Sequence, residues 1–170
     1  MSFTKTDLVQ KEALEKRYGS LNCPVQGPWN DVIGTIVSHR SVRSYKPNAL
    51  PDSTLETLTA AAQSAATSSN MQVWSLIAIT DQKKKIELAK IAGNQKHIEQ
   101  CPLFLVWLAD LSRSERVGNE EGVEMVVTPY VETVLVSAID AALAAQNAVI
   151  AAESLGLSTV YIGAMRNDPK

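Results

Sequence analysis

Apolar positions recur at three- and four-residue intervals along most of this chain, and twice they condense into short continuous runs. Residues 6–18 have the helical spacing and stop at Gly19, which predicts an amphipathic helix. Asn22 to Pro28 is a Pro- and Gly-containing linker. Asn30 or Asp31 is placed to cap a second helix over about 31–40, with Val32, Ile33, Ile36 and Val37 turned inward. Pro47 and Pro51 keep the following segment extended. Ser53-Thr54-Leu55-Glu56 has the spacing of a capping box and opens a third helix, about 54–66. A polar loop, 67–72, leads into a strand over Val73 to Thr80, apolar enough to be covered on both faces. Asp81 caps a helix over about 82–92 that stops at Gly93, and Pro102 to Ala109 forms a second buried strand.

The remaining third of the chain is less even. Residues 111–128 are polar and carry Gly118 and Gly122, so they are expected to be irregular and to form a mobile flap. A long Ala-rich helix follows over about 130–155 and ends at Gly156. Ala138, Ala141, Ala142, Ala145, Ala148 and Ala152 give it a small-residue stripe, suited to close helix packing in the core or at a dimer contact. Ser158 to Ala164 is expected to be a third strand, with Arg166 to Pro169 turning out of it. No internal repeat or low-complexity segment occurs. Interleaved helices and strands predict a sheet with helices packed on its faces.

Composition narrows the function without naming it. A chain of 170 residues is long enough for one domain with a sizeable core. A formal net charge of -2 leaves no basic footprint for nucleic acid. Lys83-Lys84-Lys85 is expected to be the exposed face of a helix start. Cys23 and Cys101 have no metal spacing and fit a reduced, cytoplasmic protein with buried thiols. Residues 1–20 are charged throughout and lack a signal-peptide core. Glu132, Asp140, Gln146, Asn147 and Glu153 interrupt the apolar run 131–157, which makes it a soluble core helix rather than a membrane span.

Four polar segments remain as candidate chemistry. They are His39-Arg40-Ser41-Val42-Arg43, Thr67-Ser68-Ser69-Asn70 with Gln72, Gly93 to His97 with Gln95, and Tyr161-Ile162-Gly163-Ala164. The first follows Ile33, Ile36 and Val37, whose burial would give it a rigid anchor. Rigid convergent donors suit a phosphate and a polar ring edge. His39 and His97 are the only histidines, and neither has a partner at triad or metal spacing. No metal site and no protein nucleophile are therefore expected.

The order of the blocks SHRSVRSY (38–45), AATSSNMQVWSLIAITD (65–81), GNQKHI (93–98) and DAALAAQNAVIAAESLGLSTVYIGAMRN (140–167) resembles the FMN-dependent nitroreductase family, in its larger, NADPH-preferring type. The resemblance covers nearly everything after residue 30. It implies an α+β fold: a three-layer α-β-α sandwich with a mostly antiparallel mixed sheet, in an intertwined homodimer with FMN at the interface. It divides the chain into an N-terminal extension, 1–28, and an FMN-binding domain, 29–170, whose C-terminal part is expected to be missing. By resemblance, His39, Arg40 and Ser41 lie at the FMN phosphate, and Arg43 reaches the N1/C2=O edge of the ring. There a fixed guanidinium stabilises the charge of the reduced form. Thr67, Ser68, Ser69, Gln72 and Gln95 contact the flavin, and Tyr161, Ile162, Gly163 and Ala164 cover its other face. Gly163 is expected to let the backbone approach N5. Ala164 replaces a second glycine of the family, and Asn70 stands where a bulkier apolar residue is common.

The implied activity is ping-pong oxidoreduction. NADPH or NADH donates hydride, and a nitroaromatic, quinone or flavin accepts electrons. No nucleic acid or membrane is implied as a partner. The alternatives are a flavin-binding protein without turnover, a flavin-dependent dehalogenase-like relative with halogenated phenols as acceptors, and a purely structural domain.

Overall fold

Two of the predicted helix starts close as the sequence reads. In the computed structural model, which describes residues 5–24 and 27–167, Asn30 Oδ1 accepts from Ile33 N at 2.9 Å and opens α2 (Asp31–Ser38). Asp81 Oδ1 accepts from Lys84 N at 2.9 Å and opens α4 (Gln82–Ile91). In each case a short side-chain acceptor satisfies an amide that the first helical turn leaves unpaired. Upstream of them runs α1 (Lys5–Tyr18), which ends at Gly19 with φ 78°. It packs on α2, and Gln10 Nε2 donates to Gly27 O at 3.0 Å.

The expected capping box at Ser53 does not form. Ser53 takes a left-handed conformation (φ 58°) instead of the extended one of an N-cap, and its side chain makes no capping hydrogen bond. Thr54 Oγ1 instead donates to Pro51 O at 2.6 Å. α3 (Thr54–Gln63) is three residues shorter than predicted, and Ser68–Asn70 beyond it is a single 3₁₀ turn.

β1 (Trp74–Ile79) and β2 (Phe104–Ala109) pair antiparallel, with Leu76 opposite Trp107 and Ile77 opposite Val106. They form a two-stranded sheet among the described residues. Alternation divides its faces. Trp74 and Trp107, with ring centroids 5.5 Å apart, meet α3 and α7 (Val131–Ser154) through Leu58, Ala62, Ala144, Ala148 and Ala152. On the other face, Ile79, Phe104 and Val106 meet Ala89 and Ala92 of the α4 end, and Ile98 of α5 (Lys96–Gln100). Helices thus lie on both sides of the sheet, as in an α-β-α sandwich. The strands are not covered throughout, however: Ile77 is 49% exposed and Leu108 38%.

The third strand is absent. Residues 158–162 run without regular structure and end in a 3₁₀ turn, Gly163–Asn167, while Asp168 and Pro169 lie outside the described residues. A strand exists only through its partner, and this segment makes one such bond, Val42 N to Thr159 O at 3.0 Å. Conversely, the segment expected to be irregular contains α6 (Ser112–Glu120). Asp110 Oδ1 accepts from Ser112 N at 2.9 Å and from its hydroxyl at 2.6 Å, which starts the helix. Gly118 reads as a breaker but is buried within α6. A Cβ there would sit 2.9 Å from Val123 O and 2.8 Å from Met125 Cγ, where the chain doubles back.

α7 is the axis of the fold. Its buried alanines let α3 approach, and Asn147 Nδ2 donates across that contact to Ala61 O at 3.2 Å. By length and composition alone α7 could cross a membrane. In the fold, one face of it belongs to the core, while Val134, Leu135 and Ile139 stand more than half exposed.

Candidate functional site

The cationic cluster begins where α2 stops. His39 and Arg40 fall outside the helix, which ends at Ser38. Their anchor is also less buried than the pattern suggested: Val32 is 57% exposed and Ile36 48%. Side chains hold the cluster instead. Glu153, near the end of α7, offers one carboxylate oxygen to two donors, His39 Nδ1 at 2.7 Å and Thr159 Oγ1 at 2.9 Å. A carboxylate only accepts, so Nδ1 carries the hydrogen in this contact. His39 O accepts from Arg17 Nη1 at 2.6 Å and from Arg40 Nη1 at 2.7 Å. Arg40 also reaches Lys16 O at 3.4 Å. Its guanidinium thus sits at the C-terminal ends of both α1 and α2, where cations are favoured. No local pattern pointed to a contact between α1 and this motif.

Arg43 behaves differently. It is exposed, and the ion pairs among the described residues join Lys11 to Glu15, Lys16 to Glu12 and His39 to Glu153. No carboxylate therefore neutralises it. It stands close to His97 and Tyr45. Burial, and then the Arg43 charge, hold the His97 imidazole below the usual histidine range, and His97 Nε2 is buried without a hydrogen-bond partner. Burial raises the Tyr45 phenol, which Arg43 partly offsets. Gln95, just before α5, turns its amide back to Ala92 O at 2.9 Å.

Tyr45, Ile162, Ala164 and Met165 pack together on the cluster formed by Ala89, Ala92, Ile98, Cys101 and Phe104. Segments 39–45, 95–98 and 159–165 therefore meet in one region. Tyr161 is half exposed, and its hydroxyl lies 3.5 Å from Gln146 Oε1. Gly163 has Arg166 above it; a Cβ would meet Arg166 Nη1 at 2.7 Å, the movable end of a flexible side chain. Within this chain, then, no fixed neighbour requires the glycine.

Thr67, Ser68, Ser69 and Gln72 form a separate group. Among the described residues, no hydrogen bond joins them to the other three segments. Thr67 Oγ1 donates to Asp140 of α7 at 2.5 Å and accepts from Gln72 N at 3.0 Å. Ser69 (φ 51°), Asn70 (φ 55°) and Gln72 (φ 48°) are all left-handed, a strained arrangement for residues with side chains. Arg113 of α6 donates to Gln72 O.

A cleft of about 740 Å³ opens between 44–51, β2, α7 and 156–162, with Tyr45, His97, Trp107, Ala145 and Tyr161 among its walls. Of the predicted flavin residues it includes Tyr161 and Ile162 only. It is chiefly apolar, and the cationic donors of 39–43 lie outside it. Lys85 adds a further correction. It is buried, not exposed, and its ammonium donates to Cys101 O at 2.7 Å. Burial pushes the Cys101 thiol up, which keeps it protonated and unreactive.

Comparison with known proteins places this arrangement. The profile of the Nitroreductase family matches residues 36–168. The chain is 45% identical over 140 residues to the FMN reductase (NADPH) of Bacillus subtilis, covering 82% of this chain and 56% of that protein. It is 38% identical over 138 residues to the NADPH-flavin oxidoreductase of Vibrio harveyi, covering 81% and 55%. The structure of the NfrA1 nitroreductase from B. subtilis superimposes with a TM-score of 0.78 at 45% identity, over 80% of this chain and 56% of that one. The chain belongs to the nitroreductase family, and the α+β class expected from its sequence holds. It spans about half the length of the curated relatives it matches.

Proposed function

We propose that this chain serves an FMN-dependent NAD(P)H oxidoreductase that reduces nitroaromatics, quinones or flavins in a ping-pong cycle. The observation that carries the reading is Arg43: an exposed guanidinium without a carboxylate partner among the described residues, beside a partly buried histidine whose pKa is lowered, where three of the four polar segments meet. A cation left free by its own protein is available to a ligand's negative charge. The donor set fits FMN in kind. Ser41, Ser68 and Ser69 are exposed, with short hydroxyl side chains, and His39 is oriented by Glu153. Bound FMN would supply reversible two-electron chemistry.

In this reading His39, Arg40 and Ser41 hold the phosphate end. Arg43 stabilises charge at the pyrimidine edge. Thr67, Ser68, Ser69, Gln72 and Gln95 contact the ring and its side chain, and Tyr161, Ile162, Gly163 and Ala164 cover the opposite face. Arg40 must give up part of its hold on the two helix ends to reach a phosphate. The names of the relatives, FMN reductase (NADPH) and NADPH-flavin oxidoreductase, support NADPH as donor, with NADH as the alternative.

The functional unit is a cytoplasmic homodimer, with no nucleic acid or membrane partner. The exposed apolar residues Val131, Val134, Leu135, Ile139 and Leu143 along α7 support a protein contact there. Residues 29–170 form the family domain, preceded by an extension at 1–28 that braces it through α1. Reconstitution with FMN is the test. A yellow protein that bleaches anaerobically with NADPH and recovers with nitrofurazone or a quinone supports the proposal. A preparation that takes up no FMN refutes it, and one that binds FMN but oxidises no NAD(P)H is a flavin-binding protein without turnover.

A further inference from the structure

A carboxylate in the middle of α7 has no evident business there. Asp140 is 2% exposed, and no cation pairs with it among the described residues. A buried charge of this kind is tolerated only when hydrogen bonds replace the lost water. All the donors it has come from one short stretch. Thr67 Oγ1 reaches Asp140 Oδ2 at 2.5 Å, Val73 N reaches the same oxygen at 3.3 Å, and Ser68 N reaches Oδ1 at 3.3 Å. Thr67 Oγ1 then accepts from Gln72 N, which closes the ring from the inside. One side chain therefore pins both feet of the 67–73 loop to the central helix.

Between those feet the backbone is strained, with Ser69, Asn70 and Gln72 at positive φ. Within the loop, Gln72 Nε2 donates to Asn70 Oδ1 and Met71 N to Ser68 O, and Arg113 of α6 donates to Gln72 O, but none of these bonds ties the two feet of the loop to the core. We infer that Asp140 is the positioning residue that imposes the loop's conformation, and that it thereby sets how Ser68 and Ser69 are presented to the flavin. This rests on the reading that the loop lies along the flavin ring. The inference concerns the ring end of the ligand only, because the phosphate-end cluster is held independently through Glu153.

Asp140→Asn keeps the shape but replaces one acceptor oxygen with an NH₂ that opposes an amide donor. Thr67→Val removes the hydroxyl relay, and Thr67→Ser keeps it. Leu58→Ala, in the core at the far side of the loop's helix contact, controls for general loosening. Dissociation constants for FMN and for riboflavin are measured by fluorescence quenching on each variant. Asp140→Asn and Thr67→Val should weaken both ligands by about tenfold, equally, since riboflavin lacks only the phosphate. Thr67→Ser should stay within about threefold. Leu58→Ala should lower the melting temperature at least as much yet leave both constants nearly unchanged. Wild-type affinity in Asp140→Asn, or a loss confined to FMN, overturns the inference.

Hydrogen exchange on the same proteins without ligand separates this from the flavin reading itself. If no variant, nor the wild type, binds either flavin, the flavin reading falls. Asp140 still stands or falls on whether the Ser68 and Val73 amides lose protection in Asp140→Asn and keep it in Leu58→Ala.

Discussion

Glu153 offers the sharpest quantitative prediction. Its carboxylate is 12% exposed and accepts from His39, which is 32% exposed, and from Thr159. Glu153→Ala leaves both donors without a partner. A hydrogen bond to a charged acceptor contributes roughly 1.5–3 kcal/mol net when sheltered. The His39 side is a third open to water, so its share falls to the lower part of the range for exposed pairs, about 1 kcal/mol. The total for Glu153→Ala is then about 2–3 kcal/mol, or a fall in Tm of about 4–12 °C for a domain of this size. Glu153→Gln keeps an acceptor oxygen and should cost about 1 kcal/mol.

Urea denaturation of Glu153→Ala, His39→Ala and the double variant isolates the pair, with an expected coupling of about 1 kcal/mol. Coupling within about 0.3 kcal/mol of zero, or Gln as damaging as Ala, would refute the clamp. On the functional side, a loosened His39 should weaken FMN but not riboflavin, whereas a change in the 67–73 loop should weaken both.

Leu58→Ala should cost about 3–4 kcal/mol by thermal or urea unfolding, because the alanines around it have no side chain to swing into the hole; a cost below about 1.5 kcal/mol would mean that α3 collapses onto α7. Arg43→Ala should leave stability within about 0.5 kcal/mol, since no carboxylate among the described residues pairs with it, while flavin reduction by NADPH in stopped flow slows by roughly a hundredfold. An unchanged reduction rate would take Arg43 out of the site. The His97 pKa is depressed in the fold, so the folded state binds fewer protons than the unfolded chain. Its contribution is present above the ordinary value of about 6.5 and is lost as pH falls through the lower folded value. His97→Gln should flatten the decline of stability on that acidic side, and an unaltered pH profile would count against burial of the neutral ring.

The parts of the fold legible in the sequence were those decided locally. Asp81 caps the helix it was expected to cap, Asn30 is the one of the two candidates, Asn30 and Asp31, that caps α2, and Gly93 and Gly156 end their helices with positive φ. What the pattern missed was decided by partners distant in sequence. Ser158 to Ala164 has strand-like residues, but a single bond to Val42 makes no ladder. Gly118 looked like a loop residue, although the returning chain at 123–125 requires a small residue inside α6. Asp140 and Glu153 were read only as interruptions of an apolar helix. Each holds one of the polar segments, at separations of 67 to 114 residues that no local window spans. A signal was present: a lone acid on the buried face of an Ala-rich helix needs donors, and a Thr/Ser-rich loop is a natural supplier. Of the four polar segments, three converge as a common site requires, while among the described residues no hydrogen bond joins the Thr67 loop to them.

The contact between α1 and the cationic motif bears on how the protein can be handled. Arg17 donates to the His39 carbonyl, and Arg40 reaches back to Lys16. The family profile begins only at residue 36, so trimming the gene to that boundary looks harmless on paper. Such a cut would strip the backing from the very peptide that aims His39. It would also release Arg40 from one of its two helix ends. Affinity tags are therefore better fused ahead of Met1 through a pliable spacer than spliced in place of the first helix, and libraries that shuffle family members should exchange α1 together with the SHRSVR block as one cassette.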